Sequence, residues 1–233
     1  MLIARLQAVA GLTQQDRCAL QSLPYSFKSL ESGDCVIREG ERPNACTVLM
    51  DGFLARRRVI GDRNQISAFY VAGDMPDLHT LHLPTADHDI CSIGRSRVAV
   101  IGHSHLMGTL TASATLSHAF WRETLIQSAI YRDWVENLAA RQALPRLAHL
   151  VCELAARLEV VGLLREGSFT LPFTQEIIAD ACGLSIVHIN RTIQELRRQG
   201  LIEWEGHRVE LLNRSRLQAL AEFDASYLHA LRR

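Results

Sequence analysis

The residue types and spacing between positions 185 and 199 are suited to contacting nucleic acid. A helix turns by about 100° per residue, so Ile189, Ile193 and Leu196 fall on one apolar stripe of a helix over this segment. The stripe can pack against a core, and the opposite face is then free to enter a DNA groove. Three arginines and one glutamate in the segment give a local excess of positive charge where a duplex would lie. The positions on the free face are Val187, Arg191, Gln194 and Arg198.

Two helix caps and a glycine predict the element that positions this face. Thr174 and Ser185 are residue types that accept hydrogen bonds from the free N–H groups at the start of a helix. Gly183 can take the left-handed conformation that a tight turn needs. Residues 174–199 therefore predict a helix, a turn and a second helix, which is the outline of a DNA-reading helix-turn-helix.

A predicted β-hairpin follows the second helix directly. Residues 201–204 and 208–212 are short alternating runs, and residues 205–207 join them through Gly206. A hairpin in this position is a wing. A wing directly behind a helix-turn-helix favours DNA binding over a purely structural pair of helices.

The N-terminal half of the chain changes from short helices to short strands. Helices are predicted at 2–9 and 13–20. Short β-prone runs then alternate with turn residues, and such regular spacing is typical of a sandwich or a small barrel. The predicted strands are 35–37, 46–50, 53–55, 66–71 and 98–101.

Residues 110–143 contain neither glycine nor proline and predict one long helix. Its apolar positions are spread too widely for one partner, so we expect the barrel on one side and a second copy of the helix on the other. Pro145 marks a break, after which an amphipathic helix over 147–158 leads to the helix-turn-helix. A closing helix is predicted from Ser215 to Leu231.

Composition narrows the function classes. Lys+Arg and Asp+Glu both number 25, so the whole-chain charge gives no indication of a nucleic-acid partner. The six cysteines form no Cys-x-x-Cys pair and are expected to be reduced thiols in or near the core, which argues against a zinc finger or a conventional iron–sulfur cluster. No apolar run is long enough to span a membrane and no export signal is visible, so we expect a cytoplasmic protein with no membrane partner.

The order of a β-barrel, a long helix and a winged helix resembles the family of the cyclic-AMP receptor protein and FNR, the Crp/Fnr family. The resemblance covers nearly the whole chain and is most specific in the last quarter. It implies an α+β fold with a cupin-like, cyclic-nucleotide-binding-like β-barrel at 1–109, a dimerisation helix at 110–143 and a winged helix-turn-helix domain at 144–233. The segments that carry it are Gly33–Gly40, Leu49–Leu54, Ala72–Asp74 and Gly183–Arg191.

The resemblance also implies a function and a set of DNA contacts. The expected function is sequence-specific binding of double-stranded DNA by a homodimeric transcription regulator on a twofold-symmetric operator, with RNA polymerase an open candidate as a further partner. Arg191 matches a base-reading arginine, and its guanidinium presents two donors that suit guanine O6 and N7. Val187 stands where many relatives carry an acidic residue and offers only apolar contact, so a different operator is expected. The expected contacts are Ser185, Val187, His188, Asn190, Arg191, Gln194 and Arg198.

The positions that bind ligands in this family are altered. Nucleotide-binding members carry Gly-Glu-Leu and Arg-Ser/Thr-Ala, whereas the matching positions here are Pro76-Asp77-Leu78 and Ala86-Asp87-His88. Asp87 and Asp89 would repel a phosphate, so cyclic AMP is not the expected effector. The N-terminal cysteine cluster of FNR-like sensors is also missing, since only Cys18 lies early. The effector or cofactor is therefore unknown.

The histidines leave a metal site open without committing any residue to it. His79, His82, His88 and Cys91 could form a nitrogen and sulfur site, although solvated loop histidines are the simpler interpretation. His103-Ser104-His105 is similar to the His-x-His pattern of cupin metalloenzymes, but no glutamate occurs between Glu41 and Glu123. We expect this tripeptide to end a strand and to cap the next helix through Ser104.

Two other function classes are the alternatives to a non-enzymatic regulator. The first is a cupin-type metal-binding enzyme, which bound metal and turnover in a fragment of residues 1–110 would support. The second is a regulatory subunit whose C-terminal domain contacts proteins, which a failure to retain any genomic DNA would favour.

Overall fold

The computed structural model describes residues 1–229, and the chain folds as two compact units. Among the described residues, 1–58 and 68–128 form the first unit, and 59–67 together with 129–229 form the second. Helices and strands occur in both units, which confirms the predicted α+β class. No helix of the described part is both long and apolar enough to cross a membrane.

Two short helices open the first unit, as predicted: α1 (Leu2–Val9) and α2 (Gln14–Gln21). Thr13 caps α2 reciprocally, because its Oγ1 accepts from Asp16 N at 3.1 Å while Asp16 Oδ2 accepts from Thr13 N at 2.9 Å. The apolar faces of both helices join the core of this unit. That core includes Leu6, Leu20, Val48, Ile101, Leu106, Leu116 and Phe120.

One five-stranded sheet forms the rest of this core, with the strand order β1-β5-β3-β4 and with β2 also paired to β5. The sheet is not closed into a barrel, because β1 and β4 end the path and are not bonded to each other. The predicted cupin-like β-barrel is wrong in this respect, since closure depends on the pairing of its end strands, which spacing along the chain does not specify. The strands are β1 (Tyr25–Leu30), β2 (Cys35–Ile37), β3 (Ala45–Ile60), β4 (Arg63–Tyr70) and β5 (Asp89–Gly102).

The two predicted strands 46–50 and 53–55 are one strand, β3, interrupted by an irregularity. Its register against β5 shifts between Leu49 and Phe53. Gly52 lies in this interval with a φ of +83°, and a Cβ there would lie 2.8 Å from the Cα of Ser96. Glycine at this position therefore allows both the bulge and the close approach of β5.

Two of the cysteines form a disulfide, so the prediction that all six are reduced is wrong. Cys35 on β2 lies directly opposite Cys91 on β5, and their sulfur atoms are bonded. The register of the sheet brings together residues 56 positions apart, and no local pattern in the sequence indicates this. Cys46, Cys152 and Cys182 are buried thiols, and burial raises the pKa of each to about 12.

The His103-Ser104-His105 segment ends strand β5 as expected and starts helix α3 (His103–Ala112). Gly102 is the N-cap residue and no side chain caps this helix, so the predicted cap by Ser104 is wrong. The Nε2 atom of His103 lies 3.1 Å from Thr80 Oγ1, which joins α3 to a 3-10 turn at Leu78–Leu81.

The predicted long helix is present as α4 (Ala114–Ala140), and it is shorter than 110–143 at both ends. Ser113 separates it from α3, and the Ser113 Oγ atom accepts a hydrogen bond from Leu116 N at 3.2 Å. Ser113 Oγ also donates to Asp16 Oδ1 at 2.6 Å, which fixes the start of α4 against α2. The helix runs on from the first unit into the second.

The second unit is built around α5 (Ala143–Val160), which packs against the C-terminal helices. Pro145 lies in its first turn, where a backbone N–H is not needed, so the break precedes this proline. The predicted closing helix is shorter than expected: α8 (Arg214–Ala221) ends at Glu222, which has a φ of +49°, and a 3-10 turn covers Ala225–Leu228. Residues 230 and 231 of that prediction lie outside the described residues.

Candidate nucleic-acid interface

The predicted helix-turn-helix is present as α6 (Gln175–Cys182) and α7 (Ile186–Arg198). Thr174 Oγ1 accepts from Ile177 N and Ser185 Oγ accepts from His188 N, both at 3.2 Å. Gly183 adopts a φ of +62°, the left-handed conformation expected of it. The predicted caps and the predicted turn are confirmed, because each depends only on residues a few positions apart.

Helix α7 packs through one face and leaves the other exposed. Ile189, Ile193 and Leu196 are buried, and α5 and α6 cover them. Thr192 lies on the buried side as well, where its hydroxyl donates to His188 O at 2.8 Å. All seven residues predicted to contact DNA are exposed: Ser185, Val187, His188, Asn190, Arg191, Gln194 and Arg198.

The three arginines of this region differ in their partners. Arg198 donates to both carboxylate oxygens of Glu195 at 2.8 and 2.6 Å, and these bonds help to hold the pKa of Glu195 at about 2. Arg197 Nε donates to Glu203 Oε1 at 2.6 Å. Arg191 has no hydrogen bond or ion pair with any residue that the structure describes. The excess of positive charge predicted from three arginines is therefore concentrated in the one guanidinium of Arg191.

The amide side chains near Arg191 have weaker attachments. Asn190 Nδ2 donates to Gln175 Oε1 at 3.3 Å, and Gln194 Oε1 accepts from Arg197 Nη1 at 3.4 Å. Both residues are exposed, so these long bonds can be exchanged for bonds to a ligand. Gln175 was not predicted as a site residue, since only the packing of α6 against α7 brings it to Asn190.

The predicted wing is confirmed as a hairpin of β7 (Ile202–Glu205) and β8 (Arg208–Leu211). Its inward side chains, Ile202, Trp204 and Val209, are buried, and its tip at residues 206 and 207 is exposed. A third strand, β6 (Ser168–Thr170), pairs with β8 and was not predicted, because three residues are too few to show an alternating pattern.

Arg146 on α5 positions the turn of the helix-turn-helix. Its Nη1 donates to Cys182 O at 2.8 Å, at the end of α6, and its Nη2 donates to Arg141 O at 2.7 Å. Both acceptors are backbone carbonyls, which every residue has, so nothing in the sequence distinguishes Arg146 from other arginines.

A cleft of about 890 Å³ lies between the start of α5 and the exposed face of α7. Helix α5 begins without a side-chain cap, which leaves the N–H groups of its first turn available to an anion. Residues lining the cleft include Ala143, Leu144, Ser185, Val187, His188 and Arg191.

Residues 145–220 match the Crp-like helix-turn-helix domain. The chain carries the DNA-binding domain of Crp-like regulators. The matched segment contains α6, α7 and the wing, so the family assignment and the geometry of the interface concern the same residues. The predicted resemblance to this family is confirmed.

Similarity to known regulators extends well beyond this domain. The chain is 24% identical over 215 residues to the transcriptional activator protein FnrA of Stutzerimonas stutzeri, covering 91% of this chain and 86% of FnrA. It is 26% identical over 175 residues to the nitrogen fixation regulation protein FixK of Azorhizobium caulinodans, covering 74% and 70% of the two chains. The solved structure of FixK2 from Bradyrhizobium japonicum has the same fold, with a TM-score of 0.77 at 24% identity over 85% of this chain and 98% of FixK2.

The positions that match the family's nucleotide pocket do not fit a cyclic nucleotide. Asp77 is buried and accepts from Thr47 N at 2.7 Å, and burial raises its pKa to about 6. Arg56 Nη2 lies 3.6 Å from Asp87 Oδ2, so this guanidinium already faces a carboxylate. A phosphate here would meet two aspartates, which agrees with the expectation that cyclic AMP is not the effector.

Proposed function

We propose that the protein is a homodimer that binds a twofold-symmetric DNA site through α7 and regulates transcription from it. The exposed face of α7, with Arg191 free of partners among the described residues, carries this proposal. An unpaired guanidinium at this position can donate two hydrogen bonds to one guanine without first breaking an ion pair.

The neighbouring side chains have distinct proposed roles. Val187 offers apolar contact, for instance to a thymine methyl group, and Gln194 and Asn190 offer amide groups to base edges. Ser185 and His188, close to the free N–H groups of α5, face the phosphate backbone and set the register of the helix. Arg198 contributes to phosphate binding only as far as its bond to Glu195 is exchanged for one to DNA.

Helix α4 offers an apolar stripe for the second copy. Trp121, Leu125 and Val135 are 64%, 50% and 66% exposed, and their spacing continues through Ser128 and Arg132 in alternating steps of four and three residues. Parallel pairing along this stripe would present two recognition helices about 34 Å apart, which matches one turn of DNA.

Ile126 and Ile130, in contrast, are buried within the chain, with exposures of 2% and 1%. They therefore do not belong to the proposed contact. A charge at either position would disrupt the core of the protomer before it tested the dimer.

The division of labour along the chain completes the proposal. Residues 1–109 respond to a signal, residues 110–143 hold the dimer together and residues 144–233 bind DNA. We assign the protein to the cytoplasm, where bacterial DNA lies, with no catalytic activity of its own and with RNA polymerase as a candidate partner at promoters.

Selection of bound fragments from genomic DNA by the purified protein tests this function and yields the operator. Arg191→Ala should relax the base preference at one symmetric pair of positions, because a bidentate contact contributes about 1–3 kcal/mol of discrimination. Arg216→Ala is the control, since Arg216 is exposed and lies on α8 and not on α7. Equal affinity and selectivity of the Arg191 variant and the wild type would show that the proposed register of α7 is wrong.

Light scattering tests the dimer separately. Leu125→Glu and Val135→Glu should shift the protein toward monomer and weaken operator binding, because each would place a charge in an apolar contact. Val59→Glu is a matched control, since Val59 is 64% exposed and lies on β3 rather than on α4. If both α4 variants stay dimeric, α4 does not form the interface.

A further inference from the structure

Two histidines and an aspartate converge in the first unit, outside the DNA-binding face. The rings of His79 and His88 lie 5.2 Å apart between centroids, with their planes inclined by 36°. Asp87 Oδ1 is hydrogen-bonded to Nδ1 of His88. One donor atom of each of these three residues lies within 4.8 Å of the donor atoms of the other two.

The two imidazoles each have a buried nitrogen atom without a partner. Nε2 of His79 and Nε2 of His88 have no hydrogen bond to any residue within the described range 1–229. The His88 side chain is only 4% exposed, so water does not replace the missing partner freely. Leaving a buried polar atom unsatisfied costs about 1–3 kcal/mol, so this arrangement favours a ligand that would satisfy both nitrogens.

The hydrogen bond that His88 Nδ1 donates to Asp87 Oδ1 gives His88 the orientation of a metal ligand. A histidine that binds a metal through one nitrogen usually has the other nitrogen bonded to a carboxylate or a carbonyl group. Asp87 occupies Nδ1 of His88 in this way and leaves Nε2 directed elsewhere.

We propose that the Nε2 atoms of His79 and His88 bind a divalent transition-metal cation and that Asp87 orients His88 for this role. Imidazole nitrogen suits zinc and its neighbours in the first transition row, at bond lengths of about 2.0–2.1 Å. Two protein ligands leave the remaining positions of a four-coordinate ion to water or another small ligand.

Arg56 opposes the cation and supplies an internal test. Its Nη2 atom lies 3.6 Å from Asp87 Oδ2, so the guanidinium balances the charge of the carboxylate when no metal is bound. An incoming divalent cation would be repelled by this positive charge. Removal of the Arg56 charge should therefore strengthen metal binding, whereas removal of a ligand should weaken it.

One side of His79 faces a cleft that is open to solvent. This residue lines an open cleft of about 420 Å³ together with His82, Met107 and Trp121. His82 is exposed and lies three positions from His79, but it is not part of the convergent group. It offers a matched control in the same segment. The proposal goes beyond the proposed function, because binding of a metal to this unit does not require DNA.

The test is a titration of metal-free full-length protein with ZnCl2 by calorimetry, without DNA. The wild type should bind one zinc ion per chain with micromolar or tighter affinity. His79→Gln and His88→Gln should each weaken binding by at least about tenfold, Arg56→Gln should tighten it, and His82→Gln should leave it unchanged. Circular dichroism establishes that each variant is folded, and the half-buried His79 gives a folded test should His88→Gln unfold.

Spectroscopy with Co2+ in place of Zn2+ reports directly on the ligands. Absorption bands of four-coordinate cobalt should appear in the wild type and in His82→Gln and should be lost in His79→Gln. The proposal is overturned if the wild type binds no zinc at micromolar concentrations, or if the His79 and His88 variants bind it as tightly as the wild type. Loss of binding in His82→Gln alone would also overturn it.

Discussion

Each unit of the protein buries a cluster of histidine and carboxylate groups, and the two clusters differ in the partners of their central side chains. In the second unit, Glu153 on α5 accepts from Trp134 Nε1 at 2.9 Å, from Arg157 Nη1 at 3.0 Å and from Tyr227 Oη at 3.1 Å. In the first unit, His79 and His88 each keep a buried Nε2 atom that no described residue bonds.

This difference distinguishes a polar group that stabilises the fold from one that can bind a ligand. The carboxylate of Glu153 is fully buried, and its partners come from α4, α5 and the 3-10 turn that carries Tyr227, so it joins three elements. Removal of the central member of such a network leaves its buried partners without bonds, which costs more than the loss of one peripheral bond. The buried Nε2 atoms of His79 and His88 have no partner among the described residues, which makes this pair the better candidate for binding a ligand.

The largest effect is expected when the cluster around Glu153 is disrupted at this central residue. Glu153→Ala should lower the free energy of unfolding by about 3–5 kcal/mol, because it leaves the buried guanidinium of Arg157 without its carboxylate. Glu159→Ala on the same helix is the control, since its bond to Arg214 is exposed and should contribute about 1 kcal/mol or less. Urea denaturation measures the free energy of unfolding of both variants. Equal losses would contradict the larger contribution expected of the buried Glu153.

The cluster of His79 and His88 should instead be stabilised by its ligand. If the zinc proposal holds, free zinc at about 100 times the dissociation constant should stabilise the wild type by about 2.7 kcal/mol. The same zinc concentration should leave the stability of His79→Gln unchanged. Thermal unfolding with and without ZnCl2 measures this, and equal stabilisation of the two proteins would place the ion elsewhere.

Asp77, two positions before His79, should make the free energy of unfolding depend on pH. Burial raises its pKa from 3.8 to about 6, so between these values the folded protein keeps a proton that the unfolded chain has lost. The stabilisation from this proton is present below about pH 4 and is lost as the pH rises to about 6, an effect of about 3 kcal/mol. Asp77→Asn should remove this part of the slope in urea titrations from pH 4 to 7. An unchanged slope would show that Asp77 titrates normally.

The smallest effect is expected at Tyr227, at the edge of the cluster around Glu153. Tyr227→Phe removes one of the bonds to Glu153 and should cost about 1 kcal/mol, because Trp134 and Arg157 still satisfy the carboxylate. Chemical denaturation of this variant, of Glu153→Ala and of the double variant measures the coupling of the two residues. Strict additivity of the two losses would mean that the network does not act as one unit.

Local patterns accounted for the parts of the DNA-binding face that the structure confirms. Thr174, Gly183 and Ser185 act within three or four residues of themselves, and the stripe of Ile189, Ile193 and Leu196 follows from helical periodicity alone. The ends of α4 and α8 were less accurate, because caps and breaks there involve contacts such as Ser113 with Asp16. The assigned DNA contacts themselves remain predictions.

The sequence by itself determined the order of the elements, the winged helix-turn-helix and the face of α7 that stays exposed, because these depend on residue types at short, regular spacing. The tertiary structure decided which groups on and below that surface are available. It pairs Arg197 and Arg198 with Glu203 and Glu195, joins Cys35 to Cys91, leaves the sheet open and brings His79 to His88. The disulfide, the open sheet and the approach of His79 to His88 depend on strand register and on packing between distant segments. Local periodicity specifies neither of these.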